Sequence, residues 1–388
     1  MINVAAKLGR KLRLGVIGGG PGSFIGPVHR GAALLHEQYE VTAGVLSSDA
    51  ERSVAAGKAL GIPRPYGTAA ELFAGEGGHA QKIDLLAIMT PNNSHYELAV
   101  QALDLGIDVF CEKPLTNTLA EAEALAQRAR QQGRLFAVAY AYTGYPMVRQ
   151  ARAMMASGQL GELRMVQGEY IQGHLATLTG PEKDGTNWHM QPEIAGPSLI
   201  LGDIATHSYH LASYITGQEP QSLSADVISI VPGREAHDYC GILARYANQA
   251  RGTFTVTQAA AGAVHGLRIR VFGSKGGLEW FQEQPDELIY RPMGAPEQRL
   301  LRGGPGLSAA ANRATHIALG HPEGYTEAFA NIYQDLAEHI LARHQGVDPD
   351  PLVLWYPDIN DGVSGVKFVE AALRSSQNNS GWQSLTGH

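Results

Sequence analysis

Between Leu12 and Tyr142 short apolar runs alternate with stretches whose apolar residues return every three or four positions. LRLGVIGGG, YEVTAGVL, IDLLAIMT, IDVFCEK and RLFAVAYAY read as strands, because their continuous apolar character suits burial on both faces. VHRGAALLHE, AERSVAAGKALG, HYELAVQALDLG and LAEAEALAQRARQQG read as amphipathic helices, the middle two closing on Gly61 and Gly106. This order predicts crossover units, a doubly wound parallel sheet, and ligands beyond the carboxyl ends of its strands.

After YAYTGYP the alternation stops. MVRQARAMMASGQLGEL reads as a helix, followed by strand-like runs at RMVQGEYIQGHL, LSADVISIVP, DYCGILARYA, ARGTFTVTQAA, LRIRVFGSKGGLEW and DELIYRP. Turn signals between them predict a large, mostly antiparallel open sheet. The late helices are AFANIYQDLAEHILARHQG and DGVSGVKFVEAALRSS. The expected fold is therefore α/β plus α+β, divided into residues 1–145 and residues 146–388, with no disordered linker between the parts.

A chain of 388 residues is long enough for two domains, and 44% hydrophobic with 17% charged residues is ordinary for a globular enzyme. The net charge of −7 is dispersed without blocks of one sign, which argues against nucleic acid or an acidic membrane surface as partner. Two cysteines, Cys111 and Cys240, are too few for a disulfide framework or a thiolate metal cluster. No apolar run is long enough to span a membrane, and the N-terminus passes directly into a glycine-rich turn rather than a signal peptide, so a reducing cytoplasm is expected.

Three places carry candidate chemistry. The first is VIGGGPGSFIGPVH, with Gly18, Gly20 and Gly26 as the glycine set once PGS is read as a three-residue insertion. Directly after the first strand of a crossover unit, such a loop predicts a dinucleotide site of Rossmann type, with backbone amides at the helix start receiving the pyrophosphate. The second strand ends in Ser47 and Ser48 where an acidic ribose ligand would stand, and Arg52 follows one turn later, able to face a 2′-phosphate or only solvent. NAD is the expected cofactor, with NADP left open.

The second place is VFCEKP. A lysine after a strand is by default simply solvated, but the apolar VFC before Lys113 and the turn fixed by Pro114 make this position rigid at the ligand-facing end of the sheet. The third is LGDIATHSYHLASYITG, read as a helix from about Gly202 to Gly217. At about 100° per residue, Ile204, Ser208, Leu211 and Ile215 form a buried stripe, and Asp203, His207, His210 and Tyr214 form a second. Asp203 and His207 are four apart, so the carboxylate can orient the imidazole; the plainer reading is a helix cap and a surface histidine.

Together, VIGGG…GxxH, MTPNNSHYELAVQALDLGIDVFCEKPL and the Asp-xxx-His helix resemble the glucose-fructose oxidoreductase, inositol dehydrogenase and rhizopine-catabolism family over nearly the whole chain. The resemblance implies that Lys113 contacts both the nicotinamide side and the reacting hydroxyl, that Asp203 contacts substrate or base, and that His207 accepts the proton. It implies that Thr90, Pro91, Asn92, His95 and Glu112 line the cofactor. It places Tyr142, Trp188, His189 and His321 toward the substrate, with His189 standing where many relatives carry arginine. GHPEGYTEAFANIYQDLAEHI looks like members acting on inositols and unphosphorylated sugars, and the family resemblance implies subunits associating as dimers or tetramers.

The chemistry is consistent with that reading. Oxidising a secondary alcohol removes a hydroxyl proton, which a histidine suits, while a fixed ammonium stabilises the developing alkoxide. No arginine cluster marks a phosphate clamp and no metal-ligand spacing appears, so a neutral polyol or sugar is expected: an inositol first, with oxidation at C3 of a glucoside or C1 of an aldose as alternatives. A non-catalytic dinucleotide-binding regulator is the competitor from another class, although a sensor has no need of Lys113, Asp203 and His207 together.

Overall fold

A computed structural model describes residues 2–180 and 188–386 of the chain. The chain divides into two compact units. The first comprises Met1–Thr116, Ala120–Gly144 and Tyr325–Val363; the second comprises Asn117–Leu119, Tyr145–Gly324 and Ser364–His388.

The first unit is built on a six-stranded parallel sheet: β1 (Leu12–Gly18), β2 (Tyr39–Val45), β3 (Arg64–Pro65), β4 (Leu85–Met89), β5 (Asp108–Cys111) and β6 (Phe136–Val138), in the spatial order β3-β2-β1-β4-β5-β6. Strand order reverses direction between β1 and β4, the switch point at which such sheets open a ligand crevice. Its helices are α1 (Val4–Leu8), α2 (Ile25–Leu35), α3 (Ala50–Ala59), α4 (Ala69–Gly77), α5 (His95–Asp104) and α6 (Leu119–Gln132). The predicted ends at Gly61 and Gly106 are both left-handed, with φ of 69° and 70°. Helix α4 escapes the periodicity reading because glycines interrupt it, yet a capping box between Thr68 and Glu71 marks its start.

The second unit begins with α7 (Pro146–Ala156) and carries a nine-stranded sheet. Its strands are β7 (Leu163–Ile171), β8 (Ser222–Ile228), β9 (Tyr239–Arg245), β10 (Arg251–Thr257), β11 (Leu267–Gly273), β12 (Gly276–Phe281), β13 (Glu287–Pro292), β14 (Gln298–Leu301) and β15 (Gln383–Ser384). All neighbours pair antiparallel except β7 and β10. The run LRIRVFGSKGGLEW is two strands of a hairpin rather than one, because Ser274 and Lys275 form the turn between β11 and β12. Also here are α8 (Pro192–Ala195), α9 (Thr206–Thr216) and α10 (Ala309–Arg313).

One expectation needs correction. A second domain running unbroken from 146 to 388 does not describe the molecule, because the chain returns to the first unit with α11 (Tyr325–Gln345). Phe329, Tyr333, Leu336 and Ile340 on α11 are at most 1% exposed and share one core with Leu14, Tyr39, Leu85 and Phe110. Arg343 at its far end pairs with the buried Asp108 at the start of β5. The last helix, α12 (Ile359–Gln377), carries the chain back into the second unit.

Candidate active site

In the first unit the predicted cofactor residues stand at the carboxyl ends of β1, β2, β4 and β5. The glycine loop is as tight as the spacing implies. Gly18 adopts φ 85°, and a Cβ there would lie 2.4 Å from the Met89 carbonyl oxygen. At Gly20 a Cβ would lie 1.8 Å from the Leu46 carbonyl oxygen, and at Gly26 1.9 Å from that of Gly19. No side chain larger than hydrogen fits these contacts, so the loop lies directly on the ends of β2 and β4 and on the start of α2. The PGS insertion closes as a turn, with Ser23 N donating to Gly20 O at 3.0 Å and Gly22 at φ 87°. Phe24 itself gives α2 no side-chain cap, although Gly26 N donates to Ser23 Oγ at 3.2 Å from the inserted turn; a helix start of this kind is where backbone amides receive an anionic ligand. Arg30 Nη1 ties α2 back to the loop by donating to Gly19 O at 2.7 Å.

At the end of β2, Ser47 is half-buried and its Oγ accepts from Asp49 N at 3.1 Å; Ser48 and Arg52 are exposed. Asp49 caps α3 by accepting from Arg52 N. Beyond β4, Thr90 Oγ1 accepts from Ser94 Oγ at 2.7 Å, Pro91 is exposed and Asn92 is 8% exposed. His95 lies between the loops after β4 and β5. It is wholly buried, with Nδ1 3.0 Å from Pro114 O and Nε2 3.0 Å from Thr90 O. It therefore braces the loop after β4 against the loop after β5. Burial lowers its pKa, opposed by the two carbonyls. Lys113 is half-buried, its peptide bond to Pro114 is cis, and its N–H donates to Glu112 Oε2 at 3.2 Å. Tyr142 is 4% exposed in a short 3₁₀ segment, its ring 6.1 Å from that of Tyr325.

These features fit a dinucleotide: three glycines with no room for a Cβ, a helix start directly behind them and a hydroxyl at the end of β2. Gly18, Gly20 and Gly26 would form the phosphate cradle, and Ser47 would face the adenosine ribose.

In the second unit, α9 packs on β7 and β11. Its predicted buried stripe holds, with Ile204 at 4%, Ser208 at 0%, and Leu211 and Ile215 at 1% exposure. The segment Leu201–Ala205, which carries Asp203, is a single wide π turn rather than part of a regular helix. Such turns gather at functional sites, and this one re-aims Asp203 relative to α9. His207, His210 and Tyr214 are 6%, 3% and 5% exposed, so His207 is no surface histidine.

Four residues around Asp203 went unremarked in the sequence. Gln258 Nε2 donates to Asp203 Oδ2 at 2.7 Å and lies 3.4 Å from Gln172 Oε1. Gln172 Nε2 reaches His265 Nδ1 at 3.3 Å, and His265 Nε2 lies 2.8 Å from the Tyr170 hydroxyl. The Tyr170 ring stands 6.2 Å from the His207 ring. Burial lowers the pKa of His265, opposed by Glu283 and assisted by His174. A neutral His265 then accepts at Nδ1 and donates from Nε2. The available sequence signal was period two: Tyr170 and Gln172 share a face at the carboxyl end of β7, and Gln258 directly follows β10.

Trp188 and His189 stack on each other at 3.7 Å, both half-buried; the preceding residues 181–187 lie outside the described part of the chain. His321 is exposed, and its loop is pinned by the buried Arg302, which pairs with Glu323 at 2.8 Å and Asp286 at 2.8 Å and donates to the His321 carbonyl. None of the described helices is long and apolar enough to cross a membrane.

Fold and site together define an NAD(P)-dependent dehydrogenase with an NAD-binding Rossmann domain. Residues 12–140 match the oxidoreductase family with NAD-binding Rossmann fold, and residues 148–279 match the GFO/IDH/MocA C-terminal domain. The chain belongs to the GFO/IDH/MocA oxidoreductase family. It is 36% identical to the uncharacterized oxidoreductase YfiI of Bacillus subtilis, over 98% of this chain and 99% of that protein. Among solved structures, it is similar to an inositol dehydrogenase homolog of Azotobacter vinelandii complexed with NAD+, at 36% identity and TM-score 0.93, covering 99% of this chain and 100% of that one. An inositol dehydrogenase homolog of Azotobacter vinelandii complexed with NADH and myo-inositol matches at 36% identity and TM-score 0.89, over 96% of this chain and 97% of that one.

Proposed function

We propose that the protein oxidises a secondary hydroxyl of an unphosphorylated cyclic polyol or sugar with NAD, an inositol being the first candidate. The observation that carries the substrate class is the network around Asp203. Its bonding groups are two amides, an imidazole and a phenol, the set that reads hydroxyls rather than phosphates or carboxylates. The likeness to an inositol dehydrogenase homolog crystallised with myo-inositol supports the same class.

In this reading Gly18, Gly20, Gly26, Ser47, Ser48, Thr90, Asn92 and Glu112 hold the dinucleotide, which when bound supplies a hydride acceptor. His207, in its neutral form, accepts the hydroxyl proton. Asp203, held by Gln258, orients that imidazole or a substrate hydroxyl. The Lys113 ammonium stabilises the oxygen as it becomes negative. Tyr142, Trp188, His189 and His321 are assigned to the rest of the substrate. Subunits associating as dimers or tetramers belong to the same proposal.

The test is NADH formation with a panel of myo- and scyllo-inositol, alkyl glucosides and free aldoses, with product identification. Highest kcat/KM on an inositol, yielding the inosose, is expected. Preference for a glucoside or aldose would move the substrate, and no turnover on any polyol or sugar would overturn the class.

A further inference from the structure

The GxxH histidine at the glycine loop has no part in the reaction described above, yet it is as fully buried as His95. His29 is 0% exposed, on the second turn of α2. Its Nε2 lies 3.0 Å from Glu112 Oε1 and its Nδ1 2.7 Å from the Tyr333 hydroxyl. The rings of Phe110, Phe329 and Tyr333 surround it at 5.2, 4.8 and 5.8 Å. Burial raises the Tyr333 pKa well above that of a free phenol, with Glu112 adding to it, so Tyr333 keeps its proton; because the Glu112 carboxylate only accepts, the tautomer that fits both neighbours takes the phenol proton at Nδ1. The remaining ring proton is then on Nε2 and points at Glu112. Tyr333 is in turn fixed by its backbone carbonyl, which accepts from the Tyr39 hydroxyl at 2.9 Å.

The Glu112 carboxylate is thus held at both oxygens, one by His29 and the other by the Lys113 amide. Its side chain retains 13% exposure, so one edge of this otherwise enclosed chain reaches outward. The neighbouring Arg30 holds Gly19 O. Adjacent residues of α2 therefore grip the phosphate loop and the acidic residue beside Lys113.

We propose that His29 and Tyr333 are positioning residues that aim the Glu112 carboxylate at the bound dinucleotide, with α11 contributing to cofactor affinity through Tyr333. This rests on the NAD reading of the site. A freely rotating Glu112 loses its hydrogen bond to the cofactor in most rotamers, whereas a carboxylate fixed by two donors loses no rotamer freedom on binding.

The test is NADH affinity by fluorescence titration of the intact protein, which needs no substrate. His29→Leu is expected to weaken NADH binding about tenfold and Tyr333→Phe about threefold. His29→Gln, whose amide reaches the place of Nε2, is expected to recover most of the loss. In a Glu112→Gln background neither change should weaken binding further. If His29→Leu is too unstable to purify, Tyr333→Phe, which keeps the ring packing, decides the matter alone. Variants that bind NADH as the parent does, or losses that persist undiminished in Glu112→Gln, overturn the positioning role. A parent protein that binds no NADH overturns the cofactor reading itself.

Discussion

Lys113 and Asp203 are held in opposite ways. Around Lys113 the fixing elements are mainly backbone: the end of β5, a proline, two carbonyls tied together by His95, and the Lys113 N–H, which donates to the Glu112 carboxylate. Around Asp203, four residues before His207, they are side chains gathered from distant strands, with Gln258 from the end of β10, Tyr170 and Gln172 from β7 and its end, and His265 from the loop before β11. A backbone-built corner tolerates change nearby as long as the loop closes. A side-chain network depends on each member, because removing one leaves a buried polar group unsatisfied.

That contrast can be broken by substitution. His207→Ala is expected to cost the most, about 10²- to 10⁴-fold in kcat, the usual range for a positioned general base. Lys113→Met should lower kcat by about 10²- to 10³-fold while NADH affinity stays within about tenfold, since it removes charge stabilisation and leaves the glycine loop intact. Steady-state kinetics with a fluorescence titration check both, and unchanged turnover in either variant contradicts the role assigned.

Gln258→Leu sharpens the comparison from the network side. It removes the donor to Asp203 at a site 1% exposed, and about a tenfold fall in kcat with unaltered NADH affinity is expected. A kcat equal to that of the parent would show that Asp203 keeps its orientation without Gln258.

The smallest effect is on stability. Burial lowers the pKa of His95, His237, His265 and His339 below the value of about 6.5 expected in the unfolded chain. As pH falls below that value the unfolded chain takes up protons that these native imidazoles refuse. Their contribution is therefore complete above pH about 6.5 and is lost as pH drops toward the native values. Thermal denaturation should show Tm level above neutrality and lower by pH 5, by roughly 2–4 °C for each kcal/mol lost. His95→Gln should flatten part of that slope; an identical slope would assign it to the other three.

The same contrast explains what was legible in the sequence. Strands buried on both faces, helices closing on Gly61 and Gly106, and glycines with no room for a Cβ are local facts, so the parallel sheet, the loop and Lys113 follow from short windows. Asp203 and His207 were also visible, because helical spacing is local. The π turn was not, since nothing in LGDIA distinguishes it from an α turn before packing is known. Gln258, Tyr170, Gln172 and His265 were missed because their relation spans 95 residues between Tyr170 and His265 and exists only once β7, β10 and β11 are side by side. The return of α11 to the first unit was hidden for the same reason, as its apolar stripe does not say which core it joins.

The central claim is that His207 takes the proton from an alcohol. Its most direct test is the pH dependence of kcat/KM for oxidation of the preferred polyol, measured for the parent, His207→Ala, Asp203→Asn and the double variant. Because only neutral imidazole accepts a proton, kcat/KM of the parent should rise with pH through one ionisation. That limb should vanish in His207→Ala, and the double variant should be scarcely worse than the worse single one, as residues acting as one unit are non-additive. A limb that survives His207→Ala, or losses that simply add, would place the base elsewhere, with Tyr142 and His321 next to be tested.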